Sequence, residues 1–129
     1  YERAVELGPE YAEAWSNLGL TARRKGQSGL AVEAFERAAD LAPGNVEAHY
    51  NLGVALETEG RTSQAVEAYR RVLELQPDRL EALLNLGNRY WGQGRTEAAA
   101  SAYRQFLAGW RGAPEPAMLA RYRLAQSGY

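Results

Sequence analysis

His49 is the only histidine in this sequence, and imidazole is the side chain most often used in general acid–base catalysis. A Ser–His–Asp or Cys–His device needs a nucleophile and an orienting carboxylate within hydrogen-bond reach of the imidazole, and nothing in the sequence nominates them. The chain has no cysteine, which removes thiol nucleophiles, disulfides and thiolate metal sites together. With one histidine and no cysteine, a zinc centre lacks its usual donors. Carboxylates are abundant, yet Glu33, Glu36 and Asp40 have the spacing of a solvated helix face. The glycines are spread along the chain and build no loop that would cradle a phosphate. These residues imply no catalysis, no cofactor and no metal.

Charge and hydropathy narrow the partners. Fifteen basic residues oppose sixteen acidic ones, a net charge of −1, whereas phosphate backbones are bound by basic surfaces, so nucleic acid is not expected. No run approaches the ~18 apolar residues of a membrane helix, so no membrane insertion is expected. The charge is uneven. Up to Glu81 there are 9 basic and 14 acidic residues; from Ala82 onward, 6 and 2. Arg89, Arg95, Arg104, Arg111, Arg121 and Arg123 carry the basic end, which would attract an acidic partner or the acidic end of another copy.

The elements that would position any site repeat. Asn17-Leu18-Gly19 returns as Asn51-Leu52-Gly53 and Asn85-Leu86-Gly87, a step of 34 residues. Gly26, Gly60 and Gly94 keep that step, as do Ala31, Ala65 and Ala99, and Pro9, Pro43 and Pro77. Tyr1, Phe35, Tyr69 and Tyr103 share one aromatic column, and His49 stands in a packing column with Trp15 and Leu83. A fixed period in this range marks stacked supersecondary units that cannot bury their apolar faces singly. Within a unit, Trp15, Leu18 and Ala22 form one helical stripe and Ala31, Phe35, Ala38 and Leu41 a second. Gly26 is placed to end the first helix, and Pro43 to end the second. Gly19, Gly53 and Gly87 lie inside first helices, where Gly costs about 1 kcal/mol relative to Ala. Their recurrence predicts close helix approach, with Ala31, Ala65 and Ala99 as the small partners. Trp15, Leu18, Leu52, Leu86, Phe35, Tyr69 and Tyr103 are predicted to be largely buried.

With these residues the chain resembles the tetratricopeptide repeat family. The motif reads Trp15, Leu18, Gly19, Ala22, Ala31, Phe35, Ala38, Pro43; then His49, Leu52, Gly53, Leu56, Ala65, Tyr69, Val72, Pro77; then Leu83, Leu86, Gly87, Tyr90, Ala99, Tyr103, Phe106. The third departs at Arg111, where Pro is expected. The resemblance covers Ala12 to Ala113, 102 of the 129 residues. It implies an all-α, right-handed α-solenoid of antiparallel helix-turn-helix repeats with a C-terminal capping helix. The expected organisation is a second-helix remnant over 1–11, repeats over 12–45, 46–79 and 80–113, and a cap over 114–129. Tyr1, Ala4 and Leu7 match Phe35, Ala38 and Leu41, so the remnant is expected to belong to a longer array. Its uncovered apolar face is expected to drive self-association. The cap is expected to be solvating, polar outside with Arg121 and Arg123, and to close the array because Arg121 occupies the column of Gly19, Gly53 and Gly87.

In the resembling family the first helix of each pair lines a concave surface that binds peptides or proteins. Carried over by column, the lining is Glu13, Ser16, Asn17, Leu20 and Arg24; Glu47, Tyr50, Asn51, Val54 and Thr58; and Glu81, Leu84, Asn85, Asn88 and Trp91. Asn17, Asn51 and Asn85 form a ladder whose amides, each donor and acceptor, suit an extended peptide backbone. Tyr50, Leu84 and Trp91 offer apolar anchoring. Glu13, Glu47 and Glu81 also favour the positive ends of their helices, by about 0.3–1 kcal/mol each. Family members that clamp the C-terminal carboxylate of heat-shock chaperones carry Lys and Asn in the first repeat and Lys and Arg in the third. Here those columns hold Ser16 and Leu20, then Glu81 and Asn85, and only Asn51 of the second repeat fits. The resemblance implies a non-catalytic protein–protein interaction scaffold that holds a protein or peptide segment. A self-assembly module and the recognition arm of a larger enzyme, such as a repeat-bearing glycosyltransferase, are the alternatives.

Overall fold

A computed structural model describes residues 9–112 and 114–128, without the side chains of Pro9 and Glu10. Tyr1, Ala4 and Leu7, which carry the expected remnant and its self-associating face, lie outside the described residues. Seven helices are described: α1 Pro9–Arg24, α2 Ser28–Leu41, α3 Val46–Thr58, α4 Thr62–Leu75, α5 Leu80–Gly92, α6 Thr96–Gly109 and α7 Pro114–Ser127. No strand occurs among the described residues. This is the all-α architecture of helical-hairpin repeats that the 34-residue register predicts.

The hairpin turns follow from one glycine column. Gly26, Gly60 and Gly94 have φ of 77°, 76° and 74°, a left-handed conformation open to Gly without the Cβ penalty. Each lets the chain fold back over the end of its helix. Gln27 N donates to the Ala22 carbonyl at 2.8 Å and Gly26 N to Arg23 at 3.1 Å, and Arg61, Gly60, Arg95 and Gly94 repeat both bonds. These paired bonds satisfy carbonyls that a helix end leaves open. The proline column is used in two ways. Pro43 and Pro77 lie two residues beyond α2 and α4, where proline prevents continuation. Pro9 instead stands at the first residue of α1, a first-turn position in which the missing N–H costs nothing.

The chain forms two compact units, 1–75 with two hairpins and 76–129 with one hairpin and α7. In the first, α1 packs on α2, α2 on α3 and α3 on α4. Phe35 and Tyr69 are fully buried there, and half-buried Trp15 lies against Ala38, Ala39 and Ala48. In the second, α5 packs on α6, and α7 packs on both. Leu83, Leu86, Tyr90, Tyr103 and Phe106 fill its core, closed from the α7 side by Ala117 and Ala120. Phe106 stacks on Trp110 with ring centroids 5.1 Å apart.

The seam within each hairpin corrects one expectation. A Cβ on Gly19 would stand 2.6 Å from the Phe35 ring, and one on Gly53 or Gly87 2.7 Å from Tyr69 or Tyr103. The glycine is therefore an aromatic ring's seat. Ala31, Ala65 and Ala99 are buried but are not what the glycine admits. Burial is also less uniform than the columns predict. Phe35, Tyr69, Tyr103 and Leu86 are buried, Trp15 and Leu52 are half-buried, and Leu18 is 39% exposed. Leu52 faces a shallow depression shared with Glu36 on the preceding helix, and the equivalent of Glu36 for Leu18 is Glu2, outside the described residues.

Gly53→Ala should therefore destabilise the protein by ~1–3 kcal/mol in urea unfolding, although Ala is the better helix former. Gly92→Ala, whose Cβ would meet nothing within 4 Å, should be neutral or gain up to ~1 kcal/mol. Equal effects at the two sites would remove the steric explanation.

Candidate functional site

Glu13, Asn17, Leu20 and Arg24 recur along α1 at helical spacing and so share one stripe, as do Glu47, Tyr50, Asn51 and Val54 on α3 and Glu81, Leu84, Asn85, Asn88 and Trp91 on α5. None of them is buried. Glu13, Asn17, Arg24, Glu47 and Glu81 are exposed, and the remaining eight are half-buried. Each first helix thus turns its core stripe toward its hairpin partner and leaves this stripe accessible. The stripes of α1 and α3 belong to the first unit and that of α5 to the second.

Individual side chains are tuned by neighbours that the column pattern does not reveal. A buried phenol must find a hydrogen-bond acceptor, and the two described tyrosines of the ring column, Tyr69 and Tyr103, find different ones. The Tyr69 hydroxyl donates to Glu57 Oε2, and the Tyr50 ring packs against Tyr69 with centroids 5.9 Å apart at 54°. The Tyr103 hydroxyl donates to Asn88 Oδ1 at 2.7 Å. Arg123 Nη1 donates to Asn88 Oδ1 at 3.1 Å and to the Tyr103 hydroxyl oxygen at 2.9 Å, while its guanidinium carbon lies 5.4 Å from the Trp91 ring centroid. Asn88 therefore spends its carbonyl within the protein, and Trp91 is held by a cation over its ring. Glu81 is held by Arg79, Nε to Oε2 at 3.3 Å. The side chains of Asn17 and Asn51 make no hydrogen bond to another described residue.

The cap differs from its expectation. Arg121 is exposed, but Arg123 turns inward to the network just described. The outer face of α7 instead carries Met118, Leu119 and Tyr122, at 61%, 43% and 63% exposure. Their signal was present in the sequence as the lining columns of Leu84, Asn85 and Asn88 advanced by one more step of 34.

His49 Nε2 donates to the Pro43 carbonyl at 2.8 Å, tying α3 to the preceding turn. Among the described residues no three His, Asp or Glu side chains converge as a metal site, and no helix is long and apolar enough to cross a membrane.

Two tetratricopeptide repeat models match the sequence, one over residues 1–45 and 18–79 and the other over 56–119. The chain belongs to the tetratricopeptide repeat family. Among curated proteins, none matches the chain by sequence. Solved structures share its fold. The first tetratricopeptide domain of Spaghetti (RPAP3), bound to the HSP90 peptide SRMEEVD, is 16% identical with a TM-score of 0.82, over 95% of this chain and 99% of that one. The Yersinia enterocolitica type III secretion chaperone SycD, in complex with a peptide of the translocator YopD, is 15% identical with a TM-score of 0.82, over 95% and 96%. The tetratricopeptide domain of Arabidopsis OM64 is 22% identical with a TM-score of 0.81, over 89% and 94%.

The Tyr103–Asn88–Arg123 network gives a measurable coupling. Tyr103→Phe and Arg123→Gln should each cost ~0.5–1.5 kcal/mol in chemical denaturation, and the double variant less than their sum, because they share one set of bonds. Strict additivity would show that the contacts do not act together.

Proposed function

We propose that this chain is a non-catalytic scaffold that holds an extended peptide or protein segment along the accessible stripes of its first helices. The observation that carries the reading is the state of Asn17 and Asn51. Asn17 is exposed and Asn51 half-buried on their accessible stripes, and neither side chain makes a hydrogen bond to another described residue. An unengaged amide beside Tyr50 and Val54 offers a donor and an acceptor for a peptide backbone next to apolar contact. The family and the peptides present in the RPAP3 and SycD structures support this use of the fold. The recognition chemistry is the chain's own: Glu81 stands where a carboxylate clamp would place a cation, and Leu20 where it would place an amide. On the same reading His49 is structural, since its Nε2–H is given to the Pro43 carbonyl.

A displayed library of short random peptides, panned on the full chain, tests this. Enriched peptides should lose affinity by about tenfold or more when Asn51→Ala and Asn85→Ala are combined, each lost hydrogen bond being worth ~0.5–1.5 kcal/mol. The helical circular-dichroism signal should stay unchanged. Unaltered affinity in the double variant would reject the amides as the binding device.

A further inference from the structure

The cap helix is packed as though it were the first helix of another hairpin. Ala117, Ala120 and Leu124 stand in the columns of Leu83, Leu86 and Tyr90; the first two are buried and Leu124 is half-buried, as that register requires. The fit is confirmed at its edge, where Arg123 reaches Asn88 and the Trp91 ring on α5. In this register the lining columns of α7 are occupied by Met118, Leu119 and Tyr122, one step of 34 beyond Leu84, Asn85 and Asn88. All three are exposed, on a helix whose buried stripe is made of alanines. Apolar side chains gathered on the accessible face of a packed helix mark a contact surface more often than isolated exposed ones do.

Resting on the scaffold reading above, we propose that the peptide-binding surface continues from α5 onto α7, where Met118, Leu119 and Tyr122 form a subsite for a large apolar ligand side chain flanked by a carboxylate. The apolar part follows from these three residues together with Leu84 and Trp91 of the adjoining helix. Charge complementarity supplies the acidic part. The second unit carries seven arginines and no lysine against four carboxylates. Two of those arginines, Arg121 and Arg123, flank Tyr122. Arg123 uses only Nη1 in its bonds to Asn88 and Tyr103, and the planar guanidinium keeps further donors in the fork geometry that suits a carboxylate. Glu81 and Glu115 stand in the first turns of α5 and α7, whereas Trp91 and Arg123 lie toward the C-terminal ends. The ligand's carboxylate is therefore placed at the Arg123 end and its apolar residue over Met118 and Tyr122.

The same random-peptide library provides the probe, and enriched peptides are resynthesised with a fluorophore for titration. Enriched sequences should place Leu, Met, Phe, Tyr or Trp beside Asp or Glu. Their affinity should fall by about tenfold or more in a Met118→Ser, Tyr122→Ser double variant, and should weaken with added salt. Both substituted side chains are exposed, so melting curves should be unchanged. Peptides that lose affinity in the Asn51→Ala, Asn85→Ala variant yet bind the α7 variant within about twofold of wild type would overturn the subsite and leave the scaffold reading intact. A library that enriches nothing over a non-displaying control would overturn both. If sedimentation shows wild-type self-association that the α7 variant abolishes, the occupant is a second copy of the chain and the acidic-peptide assignment fails.

Discussion

Each of the three described hairpins is organised around the seating of an aromatic ring on a glycine. The ring comes from the second helix, at Phe35, Tyr69 or Tyr103, and the glycine from the first, at Gly19, Gly53 or Gly87. A side chain at the glycine would occupy the ring's own space, so the two helices must approach with ring and bare backbone in register. Once they do, the rest of each first helix is oriented. One stripe faces the hairpin partner, and the stripe bearing Asn17, Asn51 or Asn85 is left accessible. The helix-propensity loss of about 1 kcal/mol per glycine is small beside the burial of a whole aromatic ring. The accessible surface is thus a by-product of how the core closes.

The repeat register made the helices legible because turn and core both recur with it. The Gly26, Gly60 and Gly94 turns follow from backbone conformation, and the buried ring column follows from periodicity. What the ring meets was less legible, since alanine and glycine columns both signal close approach and only distances separate them. Leu18 was over-read for a related reason. A column places a residue on a stripe without fixing its exposure: Leu18 is 39% exposed, whereas Leu52 and Leu86 in the same column are half-buried and buried.

For the candidate site, stripe membership was readable and side-chain state was not. Asn17 and Asn88 both count as lining polar residues, yet the first has no described hydrogen-bond partner and the second accepts from Tyr103 and Arg123. Arg123 reads as one more solvated arginine until its neighbours are known. The outward apolar face of α7 follows from its register, because burying Ala117 and Ala120 turns Met118, Leu119 and Tyr122 to the surface.

The ring column also limits how far this chain is modular. Phe35 has no hydroxyl, and the first-helix columns that serve Tyr69 and Tyr103 hold Arg23 and Leu20 in its repeat. Tyr69 depends on Glu57, and Tyr103 on Asn88 and an arginine from outside its own hairpin. Exchanging second helices between repeats would preserve every consensus position, yet bring a buried phenol against residues chosen for a phenyl ring. Duplication can copy the 34-residue unit at once, but each copy must then acquire its own polar partner before the hydroxyl ceases to be a cost. The three repeats are interchangeable in outline and particular in their hydrogen bonding, so their order along the chain is part of the structure.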